Sequence, residues 1–137
     1  MTLYVVKTIG GKDYTKNGKP VKSITKMFDN KKDALVWGYD WVNKHKGQKV
    51  LYLYHYGKPY YINYDNISVF IYKKENLMEW DNLYSICVNP CESKYDKKQN
   101  KTIKFPYPNG IYYGTSKKYR RLYPDGSVGK LEKPIKM

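Results

Sequence analysis

The chain has 137 residues, enough for one domain with a real core and short for two. Lys plus Arg number 26 against 12 Asp plus Glu, a formal net charge of +14, which implies attraction to polyanions: nucleic acid first, then acidic proteins or anionic lipid. No apolar run reaches the ~18 residues of a membrane-spanning helix, Leu3–Val6 is too short an apolar run for a signal peptide, and two cysteines make no disulfide framework. The expectation is a cytoplasmic protein, in the host cell cytoplasm if phage-encoded. Lys outnumber Arg 24 to 2 and Ala34 is the single alanine, as in an AT-rich genome. That bias explains Lys over Arg better than it explains bases over acids, so part of the positive charge reads as functional.

In chain order, Leu3 to Ile9 alternates as a strand, Gly10-Gly11 marks a bulge or bend, and Asn17-Gly18 is a hairpin turn tolerant of positive φ. A return strand is expected from about Val21 to Met27. Asp29 or Asn30 caps a helix over about 30–46, whose apolar face is Ala34, Leu35, Gly38, Trp41 and Val42, with Gly47 as its stop. Val50 to Tyr56 alternates with period two, and Gly57-Lys58 is read as the two-residue turn of a second hairpin. One face of that hairpin (Leu51, Leu53, Ile62, Tyr64) suits the helix. The other carries Tyr52, Tyr54, Tyr56 and Tyr61, and is expected to be covered by the strands still to come rather than to serve as a stacking platform.

The stretch NKKDALVWGYDWVNKHKGQKVLYLYHYGKPYYI, preceded by two strands, resembles a small domain family of bacteria and phages of unknown function. The resemblance covers residues 2–64 and implies a strand-strand-helix-strand-strand core; it brings no activity with it.

Further strands follow at Ile67–Tyr72 and Leu83–Val88, with a helical turn or a loop packing Trp80 inward between them. Residues 92–104 read as an exposed polar loop. Ile111–Tyr113 is a short strand, and Tyr119–Tyr123 meets Ser127–Leu131 across Pro124-Asp125-Gly126. The last six residues are expected to fray. The fold class expected is therefore α+β: an antiparallel or mixed sheet with one main helix packed on one face, then additional short strands and a C-terminal hairpin. Its parts are a 2–64 core, strands in 65–91, and a basic loop and hairpin in 92–137.

The basic C-terminal third carries the functional expectation. Residues 92–137 hold 12 Lys or Arg and 4 Asp or Glu. Lys94, Lys97, Lys98, Lys101 and Lys104 in the loop, with Lys117, Lys118, Arg120 and Arg121 on the hairpin, would hold phosphates. Tyr112, Tyr113 or Tyr119 would stack on bases. The blander reading is a solvated strand whose alternate charges point to water.

Cys87 and Cys91, with His45 and His55, lack the spacing of a structural zinc site, so no metal and no cofactor is expected. Gly110-Ile-Tyr112 abuts Tyr113-Gly114, whereas the nuclease family named for such motifs separates them by a hairpin and follows them with a catalytic helix. Glu75, Glu79 and Asp81 have no histidine or phosphate loop beside them. A non-enzymatic nucleic-acid-binding protein from a phage or mobile element is the reading. The alternative is an inhibitor or adaptor of anti-restriction or anti-CRISPR type that docks on a host nuclease or nucleoprotein and blocks its nucleic-acid path.

Overall fold

A computed structural model describes residues 2–73, 80–115 and 118–135, with 73 and 80–83 described by their backbone. The α+β expectation is overturned: strands outweigh helix by 57% to 12%, so the fold is sheet-dominated, with a single described helix. The strands are β1 (Thr2–Lys7), β2 (Gly11–Lys16), β3 (Lys19–Val21) and β4 (Thr25–Phe28) before α1 (Lys31–His45). After it come β5 (Lys49–His55), β6 (Lys58–Asn63), β7 (Ile67–Lys73), β8 (Trp80–Val88), β9 (Cys91–Asp96) and β10 (Lys101–Pro106). The chain closes with β11 (Ile111–Thr115), β12 (Lys118–Leu122) and β13 (Val128–Leu131). The segment around Glu75 and Glu79 lies outside the described residues.

Three antiparallel sheets result. The main one has seven strands in the order β13-β12-β11-β8-β7-β1-β4, a second has β3-β2-β5-β6, and β9-β10 is a two-stranded ribbon. Residues 2–64 are thus not a self-contained core. β1 pairs with β4 on one side and with β7 on the other in the main sheet, while β2, β3, β5 and β6 stand in another.

Thr8 and Gly10 form the joint. Thr8 is 2% exposed; its N–H donates to the Ile24 carbonyl at 2.9 Å and its hydroxyl accepts from the Ile24 N–H at 2.8 Å. The Ser23 hydroxyl donates to the Thr8 carbonyl at 2.7 Å. A Cβ on Gly10 would collide with the Ser23 backbone, so only glycine lets the two limbs pass this closely. The β2–β3 hairpin therefore prolongs the β1–β4 pair beyond a pinched neck. Its turn, Asn17-Gly18, has positive φ at both positions (54° and 78°), as its residues predict.

The β9–β10 ribbon prolongs β8–β11 in the same way. Asn89 N–H donates to the Gly110 carbonyl at 2.9 Å, and Gly110 N–H donates to Asn89 Oδ1 at 2.8 Å.

Local signals set the helix. Asn30 Oδ1 accepts from the Asp33 N–H at 2.8 Å, satisfying one orphan donor of the first turn. Ala34, Leu35, Gly38, Trp41 and Val42 are its buried face, the five residues that periodicity selects. That face packs on β1, β4, β8 and β11 of the main sheet, against Val6, Ile67, Val69 and Ile86, and not on the β5–β6 hairpin. Gly126, at φ 85° in the β12–β13 turn, sits against the helix, its Cβ position 2.9 Å from the Lys32 carbonyl oxygen. The tail does not fray at once, since Ile135 N–H donates to the Pro106 carbonyl at 2.7 Å. No helix among the described residues is long and apolar enough to cross a membrane.

Gly38 is a close-approach site. A Cβ there would press on the Ile86 δ-methyl and lie 3.1 Å from that of Ile67. Replacing a mid-helix Gly by Ala ordinarily gains up to ~1 kcal/mol, but overpacking a filled core costs ~1–3 kcal/mol. The balance leaves Gly38→Ala with an expected net loss of up to roughly 2 kcal/mol in urea denaturation; a rise in the midpoint would contradict this packing.

Candidate nucleic-acid interface

The structure divides the sequence-predicted site in two and withdraws several of its members. Residues 92–104 are not a loop but most of the β9–β10 ribbon, paired from Cys91↔Pro106 to Asp96↔Lys101. Directly opposite residues share a face, so Glu92, Lys94, Asp96, Lys101, Ile103 and Phe105 lie on one side, and Ser93, Tyr95, Thr102 and Lys104 on the other. Lys97 and Lys98 are at the tip, where Asp96 Oδ1 accepts from the Lys98 N–H at 2.9 Å and Tyr95 hydrogen-bonds Asn100. All five lysines are exposed. Lys94 lies over the Phe105 ring at 5.9 Å, and none of the five makes an ion pair with a described residue.

The second part is a groove of about 510 Å³ on the helix side of the main sheet. Lys118 and Arg120, two residues apart on β12, face it with Lys31 from the first turn of α1. Its floor is the Tyr84–Tyr113 stack (5.1 Å between centroids), with Lys31 Nζ 5.0 Å from the Tyr113 ring. Strand alternation puts Lys118 and Arg120 on this face and turns Tyr119 and Arg121 to the opposite one. Lys31 was not foreseen, because nothing in the sequence couples the start of α1 to a strand so much later in the chain. Lys117 lies outside the described residues.

Two of the three expected stacking residues are core instead, and the third, Tyr119, is half-buried. Tyr112 is 0% and Tyr113 4% exposed, because β11 is an inner strand covered on both faces. Tyr112, Tyr119 and the buried Tyr107 meet ring to ring, with Tyr107 5.7 Å from Tyr112 and 5.3 Å from Tyr119. Arg121 is committed to the same cluster. Its Nε donates to Glu132 Oε2 at 3.0 Å, Nη1 to the Asn109 carbonyl at 3.0 Å and Nη2 to the Tyr112 hydroxyl at 2.8 Å. Tyr112 in turn donates to the Pro108 carbonyl at 2.7 Å. Neither Tyr112 nor Tyr113 can receive a base, and Arg121 is a structural clamp on the C-terminal segment.

Cys87 is buried and Cys91 exposed, both free, while His45 caps the end of α1 with Nδ1 2.7 Å from the Trp41 carbonyl. Among the described residues no three His, Cys, Asp or Glu gather as a metal site. Burial pushes the Cys87 thiol from its ordinary 9.0 up to about 12, and burial likewise takes Tyr119 from 10.0 to about 12. Below pH 9 both groups hold their protons folded and unfolded, so neither affects stability. Between about 9 and 12 the unfolded chain ionises first and the folded one does not, so stability falls as pH rises. The melting temperature is expected to decline from about pH 9, and Cys87→Ala should delay the onset toward the range where tyrosines ionise. An unchanged onset would refute the assignment to Cys87.

Most of the aromatics left in water are on the β5–β6 hairpin, whose tyrosine face is expected from the sequence to be covered; Tyr95 of the β9–β10 ribbon, 59% exposed, and Tyr123 lie elsewhere. Tyr56 is 93%, Tyr54 67%, Tyr60 54% and Tyr61 54% exposed. The later strands join the main sheet and the β9–β10 ribbon; only the base of the hairpin is covered, at Val50 and where Tyr14 stacks on Tyr52 at 5.0 Å, and its outer half stays exposed. Its turn is also one residue earlier than expected: His55 pairs with Lys58 and the loop is Tyr56-Gly57, with a bulge at Tyr52 between Leu51↔Tyr61 and Leu53↔Tyr60. An X-Gly pair with positive φ at both positions (50° and 76°) was the available signal.

No family model, curated protein or solved structure matches the chain, so the resemblance of residues 2–64 stands without a family behind it.

Proposed function

We propose that this is a non-enzymatic nucleic-acid-binding protein that holds phosphates with Lys94, Lys97, Lys98, Lys101 and Lys104 of the β9–β10 ribbon. The observation that carries the reading is the ribbon itself: five exposed lysines on a projecting hairpin, against Glu92 and Asp96 as its acids, with no ion pair to a described residue. Such cations release counterions when they meet phosphates, which makes binding electrostatic and weakly dependent on sequence. Lys118, Arg120 and Lys31 around the groove give a second cationic element of the same sign.

The test is a salt titration against unrelated single- and double-stranded oligonucleotides. If about five phosphates are neutralised, affinity should drop roughly 10²–10³-fold between about 50 and 200 mM salt. No binding at low salt would sink the proposal. The competing reading, an inhibitor or adaptor seated on a host nuclease or nucleoprotein, predicts a stoichiometric complex with one protein from a host lysate and no salt-sensitive affinity for free oligonucleotides.

A further inference from the structure

We infer that the β5–β6 hairpin is a stacking surface for the unpaired bases of a single-stranded nucleic acid, a deepening that rests on the nucleic-acid reading above. Three observations converge on it. The first is exposure, since Tyr54, Tyr56, Tyr60 and Tyr61 each leave more than half their surface in water on one small hairpin. The register sets Tyr54 and Tyr61 on one face of the hairpin and Tyr60 on the other, beside Tyr52 at 6.5 Å, with Tyr56 at the turn, so both faces offer exposed rings to a contact.

The second is the backbone at Tyr56. It stands at φ 50° in the left-handed region, where the other hairpin of the same sheet uses Asn17 at φ 54°. A bulky residue is disfavoured there and Asn is not. Its ring is 93% exposed and meets the ring of the neighbouring His55 at 4.4 Å. A residue that strains its turn and fills no core is expected where function overrides local folding preference.

The third is charge. The two strands and their turn carry Lys49 and Lys58 with no acid, and the adjoining β2–β3 hairpin adds Lys12 and Lys19, all exposed, against Asp13. Rings flanked by an excess of cations match a polymer of π-faces and phosphates. They do not match a second copy of a chain of net charge +14. A duplex keeps its base faces inside its own stack, so only unpaired bases can use the rings.

Homopolymeric dT and U strands, an abasic strand of equal phosphate count and a blunt duplex distinguish the contributions. The variant carries Tyr54→Ser, Tyr56→Ser, Tyr60→Ser and Tyr61→Ser, and Tyr56→Asn serves as a single change that the turn favours. Affinity for base-bearing single strands should fall by roughly 5–150-fold for each stacked base lost. Affinity for the abasic strand and the duplex, and the salt slope, should not change. Tyr56→Asn should lower single-strand affinity while raising the melting temperature, which separates lost stacking from lost fold.

An unaltered protein that binds abasic and base-bearing strands equally, or a tyrosine variant that keeps its single-strand affinity, overturns the inference and leaves the nucleic-acid reading standing. An unaltered protein that binds none of the probes overturns both. A dimer in sedimentation that the tyrosine variant dissolves gives the surface to a second copy and overturns the inference as well.

Discussion

Replacing Lys97, Lys98 and Lys104 by Glu and Lys101 by Gln should lower oligonucleotide affinity about 100-fold or more and flatten the salt slope by about 3–4. The slope is the sharper readout. Each phosphate contact removed takes away close to one released counterion, whereas unfolding would remove binding without this graded change. Lys101 is given Gln because it lies opposite Asp96, and a second carboxylate there would set like charges across the ribbon. The other three are exposed and lack ion pairs with described residues, so each exchange should move stability by no more than ~0.5 kcal/mol. The matched control makes the same change of net charge away from the ribbon: Lys7, Lys22 and Lys130 to Glu, and Lys44, which already pairs with Asp40 at 2.9 Å, to Gln, all four being exposed. It should lower affinity by roughly tenfold at most. Equal losses from both variants would mean that net charge alone, rather than the ribbon, attracts the polyanion.

The helix and two turns were legible because their signals are local. Asn30, the spacing of Ala34 to Val42 and the stop at Gly47 specify α1 without reference to the rest of the chain. Asn17-Gly18 and Pro124-Asp125-Gly126 do the same for their hairpins. Strand partners were not legible, since alternation tells which residues share a face and not which strand lies beside them. β1 and β4 therefore looked like a continuous hairpin with the intervening residues, when Gly10 lets the chain leave the main sheet and return.

β9 and β10 were hidden for a different reason. A ribbon with water on both faces has polar residues on both, so Ser93, Lys94, Tyr95 and Thr102 show no burial period to detect. The tyrosine hairpin had the alternation but misled in the opposite direction. Its rings looked like a face awaiting cover, and only the topology shows that the later strands go elsewhere. For Tyr112 and Tyr113 the adjacency of two aromatics in a strand was itself a sign that both faces were buried. Arg121 could be separated from Arg120 by alternation, but its partner Glu132 comes from a segment that carried no strand signal.

Trp41→Ala should cost about 3–5 kcal/mol, a large share of the ~5–15 kcal/mol that holds a domain of ordinary stability. Trp41 is 7% exposed and belongs to the core under the main sheet, yet its ring also meets Tyr64 edge-on at 5.0 Å and stacks on His45 at 4.0 Å. Around that contact the chain passes between sheets. Gly47 N–H donates to buried Asp65 at 3.0 Å, Tyr64 N–H to the Gln48 carbonyl at 2.9 Å, and Lys16 Nζ to Gln48 Oε1 at 2.6 Å while lying 5.2 Å from the Tyr64 ring. Removing the indole thus empties the corner where α1, the β6–β7 bend and β2 converge. Circular dichroism in urea gives the stability change without relying on the lost fluorophore, and Trp41→Phe, which keeps a ring against Tyr64, should lose less. Hydrogen exchange gives the mechanism: amides of β5 and β6 should lose protection before those of β7 and β8, because the second sheet is braced through this corner and the main sheet has the rest of α1 over it. Uniform loss across both sheets would show instead that the four-stranded sheet has no separate bracing, and that the exposed hairpin is held in place by the main core as a whole.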